Sequence, residues 1–245
     1  APVNVKQLAE GLELAEEKGE REIEEVDAPQ PPPDRRSSAI PILRPTTGKA
    51  ATSAPTPSAT GISPAPSKTF KGEFLSGGTI PPDTMGAVGT THIVTVSNDR
   101  MRIQTRDGVE LSRATLNSFW TGTTIKGTAV TSAFDTKVFF DRFNSRFILV
   151  SSLNGPGQFS GMGLAVTQTA DPTGVWNRFT AASDPASTGG AGGSGHAIDY
   201  PSVGFNKNWI VVDENTFNYS GTAFTSYYGQ QIFVFDKAAA YANTL

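Results

Sequence analysis

Cysteine is absent from this 245-residue chain. No disulfide framework can staple it, and neither a thiol nucleophile nor a thiolate metal site is available. Histidine is nearly absent: His92 and His196 are the only two, which leaves little scope for imidazole chemistry. No apolar run reaches the roughly 18–20 residues of a membrane-crossing helix. Excess charge is lacking as well. Twenty basic residues against 23 acidic ones give a net charge of −3, and without a Lys/Arg-rich block nothing here recruits a nucleic-acid backbone. Catalytic signatures are also missing. There is no Ser-x-Asp-x-Gly-x-Thr-Trp box, no His-Glu-x-x-His and no Gly-x-Ser-x-Gly, and Gly48-Lys49 stands without the rest of a phosphate loop.

The residues that are present fall into three regions. In residues 1–28, Val5, Leu8, Leu12, Ala15, Ile23 and Val26 share one stripe of a helix over 4–26, and glutamates crowd its other faces. Gly11 and Gly19 each cost about 1 kcal/mol relative to alanine. The segment therefore reads either as a solvated acidic tail or as a helix that folds only against a partner. Residues 29–69 are a linker, with ten prolines between Pro29 and Pro66 and one apolar island at Ile40, Ile42 and Leu43. The opening on Ala1 and the Pro/Ser/Thr linker lead us to expect a secreted or cell-surface protein.

From residue 70 onward a diverged repeat recurs. Its copies begin Asp83-Thr-Met-Gly-Ala-Val-Gly-Thr, Asp135-Thr-Lys-Val-Phe-Phe-Asp-Arg and Asp199-Tyr-Pro-Ser-Val-Gly-Phe-Asn. Each continues into two further apolar runs, with turn signals such as Thr105-Arg-Asp-Gly108 and Ala170-Asp-Pro-Thr-Gly174 between runs. Strands recurring with a period near 50–60 residues predict an all-β chain of β-propeller-type repeats. Three blades are expected, near 79–117, 134–181 and 198–245, preceded by the short helix and the Pro-rich linker. Propellers close with more than three blades, so other protein chains or the remainder of a larger propeller are expected as partners.

Pro81-Pro-Asp-Thr-Met-Gly-Ala-Val-Gly89, Phe140-Asp-Arg-Phe-Asn-Ser-Arg-Phe147, Ala170-Asp-Pro-Thr-Gly174 and Asp199-Tyr-Pro201 together resemble large bacterial exported β-propeller proteins. In those proteins a Pro-Pro-Asp-Thr-x-Gly-x-Val-Gly motif opens the first blade. The resemblance covers residues 75–245 and implies the architecture. It carries over no catalytic set.

First strands of propeller blades line a common axis, so Asp83, Asp135 and Asp199 are expected to converge there. Two readings stand side by side: a Ca²⁺ held by oxygen ligands, or three carboxylates that each cap a turn. His196 and Tyr200 are candidates for proton abstraction in a polysaccharide lyase, although no Arg or Lys lies between Arg178 and Lys207 to neutralise a uronate. Trp120, Trp176 and Trp209 are expected in the core, with Trp176 also a surface candidate. Trp176, Tyr219, Tyr227 and Tyr228 are candidates for ligand binding, including stacking on surface glycans. The glycine-rich stretch from Ser187 to Gly195 reads as a loop between repeats. The function expected is a non-catalytic module for binding or assembly, and the alternative is an extracellular carbohydrate-active enzyme.

Overall fold

A computed structural model describes residues 2–12, 65–73, 81–183 and 196–245. The chain divides into two units, Ala1–Glu25 with Phe70–Leu245, and Val26–Thr69. The second unit corresponds to the Pro-rich linker, of which only 65–69 is described. Residues 13–26 of the expected helix, the island Ile40–Leu43 and the loop Ser187–Gly195 lie outside the described residues.

The first unit is all-β, built from antiparallel sheets, none of them closed. The first main sheet holds β2 (Met85–Val88), β3 (His92–Val96), β4 (Arg100–Thr105) and β5 (Glu110–Thr115) in sequential order. The short helix α2 (Leu116–Trp120) and a two-stranded ribbon, β6 (Thr124–Ile125) with β7 (Thr128–Ala129), lead to the second. That sheet runs β8 (Ala133–Asp141), β9 (Arg146–Leu153), β10 (Gly161–Thr167) and β11 (Val175–Ala182). The third has three strands, β12 (Ala197–Phe205), β13 (Trp209–Ser220) and β14 (Ala223–Asp236), followed by helix α3 (Lys237–Ala242). The short turns predicted from Asp-Gly and from Asp-Pro-Thr-Gly connect neighbouring strands, as their local chemistry dictates.

The strand period of two gives each sheet two faces. On the first sheet Val94, Val96, Met101 and Ile103 share one face, and they pack with Val138, Phe147, Leu149 and Trp176 of the second. The opposite face of the second sheet, with Ile148, Val150, Leu164 and Val166, packs with Ile210 and Val212 of the third. The sheets therefore stack in one direction, each offering the same face forward. Gly163 shows how close the first interface is: a Cβ there would stand 2.5 Å from the Trp120 ring.

The N-terminal segment belongs to this unit. β1 (Val3–Asn4) pairs with the edge strand β11, opposite Trp176 and Val175, which covers that edge. Helix α1 (Val5–Leu12) follows. Val5 is fully buried and its carbonyl accepts a hydrogen bond from Ser112 Oγ, while Leu8 packs on the core. The start of the segment is thus docked on its own chain rather than left as a solvated tail.

Register corrects the alignment of the third repeat. Met85 pairs with Val96, Lys137 with Val150 and Ser202 with Asp213. Two residues before each stands a residue in the left-handed region: Asp83 (φ 40°), Asp135 (φ 49°) and Tyr200 (φ 61°). Tyr200, not Asp199, therefore occupies the place of the first two aspartates. At Asp135 and Tyr200 the left-handed residue lies within a register shift of its ladder, between Phe134 and Lys137 and between Asp199 and Ser202.

Candidate functional site

The entry strands β2, β8 and β12 bring Asp83, Asp135 and Asp199 together, as expected, although Asp199 arrives from the position before the left-handed residue. Asp135 is buried, and its carboxyl is hydrogen-bonded to both Asp83 and Asp199. Burial, reinforced by Asp199, pushes the Asp135 pKa up to about 6. Asp83 is raised in the same way, first by burial and then by Asp135, with Lys137 and Asn98 opposing. Carboxyls held this close repel when both are ionised, and a proton taken up between them relieves the repulsion.

Asn98 ties this cluster across the sheets. Its Nδ2 donates to Asp83 Oδ2 at 2.9 Å and its Oδ1 accepts from the Asp135 backbone N–H. The hydrogen bonds to the Asp83 and Asp135 carboxyls come from side chains, unlike those of turn-capping aspartates. Asp141 and Asp171 fill that role, accepting from the Phe143 and Thr173 amides. A fourth carboxyl, Glu214, was not anticipated. It is fully buried on β13, accepts from Ser152 Oγ at 3.1 Å, and leaves Oε1 without a hydrogen-bond partner. Burial, with Asp199, Asp135 and Asp213 adding to it, pushes its pKa up to about 9. The signal for it was present: strand alternation puts Glu214 on the inward side with Ile210 and Val212. Among the described residues no group of three or more His, Cys, Asp or Glu is arranged to hold a metal ion.

Lys137 Nζ sits 3.9 Å from the centre of the exposed Tyr200 ring, a cation–π contact at the rim of the acidic cluster. His196 instead stacks on Tyr228, with ring centroids 3.5 Å apart and planes at 18°. The two lyase candidates thus have different aromatic and cationic partners.

The ligand candidates divide sharply. Trp176 is fully buried, its Nε1 donating to the Pro172 carbonyl and its ring set edge-on to Phe119; it is a core residue. Trp209, expected in the core, is 45% exposed. Tyr227 and Tyr228 are exposed, and Tyr219 is half-buried. They belong to the β13–β14 hairpin, whose pairing continues from Phe217–Tyr227 to Ser220–Ala223 after the last β12 partner, Ala197 opposite Phe217. Phe217 sits 5.1 Å from Phe224 and 5.7 Å from Tyr227, ring to ring, so a small aromatic cluster sits where the hairpin leaves the three-stranded sheet.

In comparisons with family models, curated proteins and solved structures, nothing matches the chain.

Proposed function

We propose that this chain is a non-catalytic binding module of β-propeller type, exported or displayed at the cell surface, whose three sheets are successive blades. The repeated register and the one-way stacking of sheets support the blade reading. The observation that carries the binding reading is the β13–β14 hairpin. It runs beyond β12 from Asn218 to Ser226, and at the level of the last β12 pair it leaves Tyr227 and Tyr228 exposed, Tyr228 with one face on the His196 ring. Exposed, rigid tyrosines beside Ser, Thr and Gly suit recognition of sugars and of other proteins.

Affinity electrophoresis against a panel of neutral and acidic polysaccharides tests this, followed by an assay for unsaturated chain ends. Retarded migration that Tyr227→Ser and Tyr228→Ser together abolish is expected, with no new unsaturated ends. Release of unsaturated ends that His196→Ala abolishes would overturn the proposal in favour of a lyase.

A further inference from the structure

The three ladders place equivalent residues at equivalent depth. Met101, Leu164 and Ile232 are partners of Val96, Val150 and Asp213. Ile103, Val166 and Val234 are partners of Val94, Ile148 and Val211 in the same way. All six of these third-strand residues are apolar, yet only the last sheet exposes them. Met101, Leu164, Ile103 and Val166 are 0% exposed, whereas Ile232 is 64% and Val234 59% exposed. Trp209 stands on the same face two residues before Val211. In the first two sheets these positions are sealed by the next sheet; in the third they face solvent.

Polar residues on this face repeat as well. Asn98 of the first sheet reaches forward to the Asp135 amide of the second. Ser152, two residues beyond the equivalent of Val96, reaches forward to Glu214 of the third. Asn215 occupies that place on the third sheet. Asp213 beside it holds Oδ1 buried with no hydrogen-bond partner, a desolvated acceptor that an incoming donor would satisfy.

We propose that the outward face of the third sheet, formed by Trp209, Val211, Ile232 and Val234 around Asp213 and Asn215, seats a fourth antiparallel β-sheet of the same repeat. This rests on the blade reading above and continues two interfaces already present in the chain. The incoming sheet offers an apolar face like that of Val138, Phe147 and Leu149. It also offers a donor for Asp213: a Lys, an Arg, or the amide of its own left-handed entry residue.

A second copy of this chain fits less well in either orientation. Packed head to tail, it would present the rear face of its first sheet, which carries Thr95, Arg102 and Gln104. Its own chain already covers that face: Gln104 donates to the Lys71 carbonyl, Arg102 to the Gly72 carbonyl, and the Glu73 amide to Thr95 Oγ1. Packed face to face, two copies would set Asp213 and Asp236 against their own duplicates, and no Lys or Arg lies on β12, β13 or β14 to match them. The stack thus has a polar, sealed end and an apolar, open one.

The test is photo-cross-linking in the cells that make the protein, with benzoylphenylalanine in place of Ile232, and sequencing of the linked peptide. The expected product joins position 232 to a strand of an Asp-led antiparallel repeat lying outside residues 1–245. Ile232→Asp with Val234→Asp should leave the isolated chain folded, its melting temperature within about 2 °C of the parent. In the intact assembly the same pair should remove the cross-link that a benzoylphenylalanine at Val211 also forms. A link to a second copy of residues 209–236, a link to a peptide without the repeat, or no link at all would overturn the inference. Leu164→Asp is the control that separates this failure from failure of the blade reading. If Leu164→Asp is tolerated as well as Ile232→Asp, the sheets are not equivalent and the reading itself falls.

Discussion

The second and third sheets carry nearly the same pattern of side chains and live in different surroundings. Leu164 and Ile232 hold one ladder position, yet the first is sealed between two sheets and the second faces water. Strand alternation decides which face a residue occupies, but only stacking decides whether that face is covered. The third sheet is therefore held on one side alone, by the Ile148–Val150–Leu164 face and by helix α3, which folds back onto the second sheet. There Lys237 Nζ lies 2.9 Å from Asp141 Oδ2, both side chains essentially without exposure, and Tyr241 donates to the same oxygen at 2.7 Å. Burial alone would raise the Asp141 pKa, but donation from Asn144, Lys237, Tyr241 and the Phe143 amide holds it below the ordinary carboxylate range.

The largest effect is expected at that latch. Lys237→Ala strands the Asp141 carboxylate in the interior, which should cost about 3–5 kcal/mol, read as a lowered midpoint in urea. The pair Asp141→Leu with Lys237→Met removes both charges and should recover much of the loss. If the single change costs under about 1 kcal/mol, the third sheet is held by its apolar contacts alone.

The comparison breaks most directly at the two equivalent ladder positions. Leu164→Ala leaves a cavity between sheets and should cost about 2–5 kcal/mol. Ile232→Ala removes solvent-facing surface and should stay within about 0.5 kcal/mol in the isolated chain. Equal costs at the two sites would mean that Ile232 is covered in solution.

Much of this was legible in the residues. Asp-led starts, paired apolar runs and Asp-Gly or Pro-Thr-Gly turns are local signals, and they located three sheets within a few residues. The meeting of Asp83, Asp135 and Asp199 was expected from their shared place at the start of each first strand. Two kinds of feature escaped. Tyr200 replaces the aspartate at the left-handed position, so matching by residue type put the third repeat one place out; only hydrogen-bond register reveals it. Trp209, expected in the core, is exposed, and Trp176, weighed for both core and surface, is buried, because burial depends on which sheet has a neighbour, and a single strand's pattern does not contain that. The docking of Val3 and Val5 on sheets more than a hundred residues away is likewise set by tertiary contact, not by helix propensity.

A further contrast lies between Asp141, supplied with donors, and the carboxyls Asp135 and Glu214, which are short of them. Both of the latter bind protons more tightly folded than unfolded, since their pKa values rise from 3.8 to about 6 and from 4.5 to about 9. Their stabilising contribution is therefore complete below about pH 4 and is lost as pH climbs, through about 6 for Asp135 and onward toward 9 for Glu214. For Asp135 the change amounts to at most about 3 kcal/mol. Urea midpoints taken from pH 4 to 9 should show the decline, with Asp135→Asn flattening its lower part and Glu214→Gln its upper part. A profile unchanged in both variants would place the carboxyls in contact with solvent.

The smallest expected effect concerns calcium. In the arrangement of Asp83, Asp135 and Asp199, the raised pKa values of Asp83 and Asp135 favour protons as the means of relieving the repulsion that a cation would otherwise relieve. A ligand stabilises a fold only in proportion to its preference for the folded state, and here Ca²⁺ must first displace those protons. At pH 6, where Asp135 is half protonated, the melting temperature in millimolar Ca²⁺ should lie within about 1 °C of that in chelator. A rise of several degrees that disappears in Asp135→Asn would show that a cation, rather than shared protons, joins the three entry strands, and that the contrast with Asp141 is one of partner rather than of protonation.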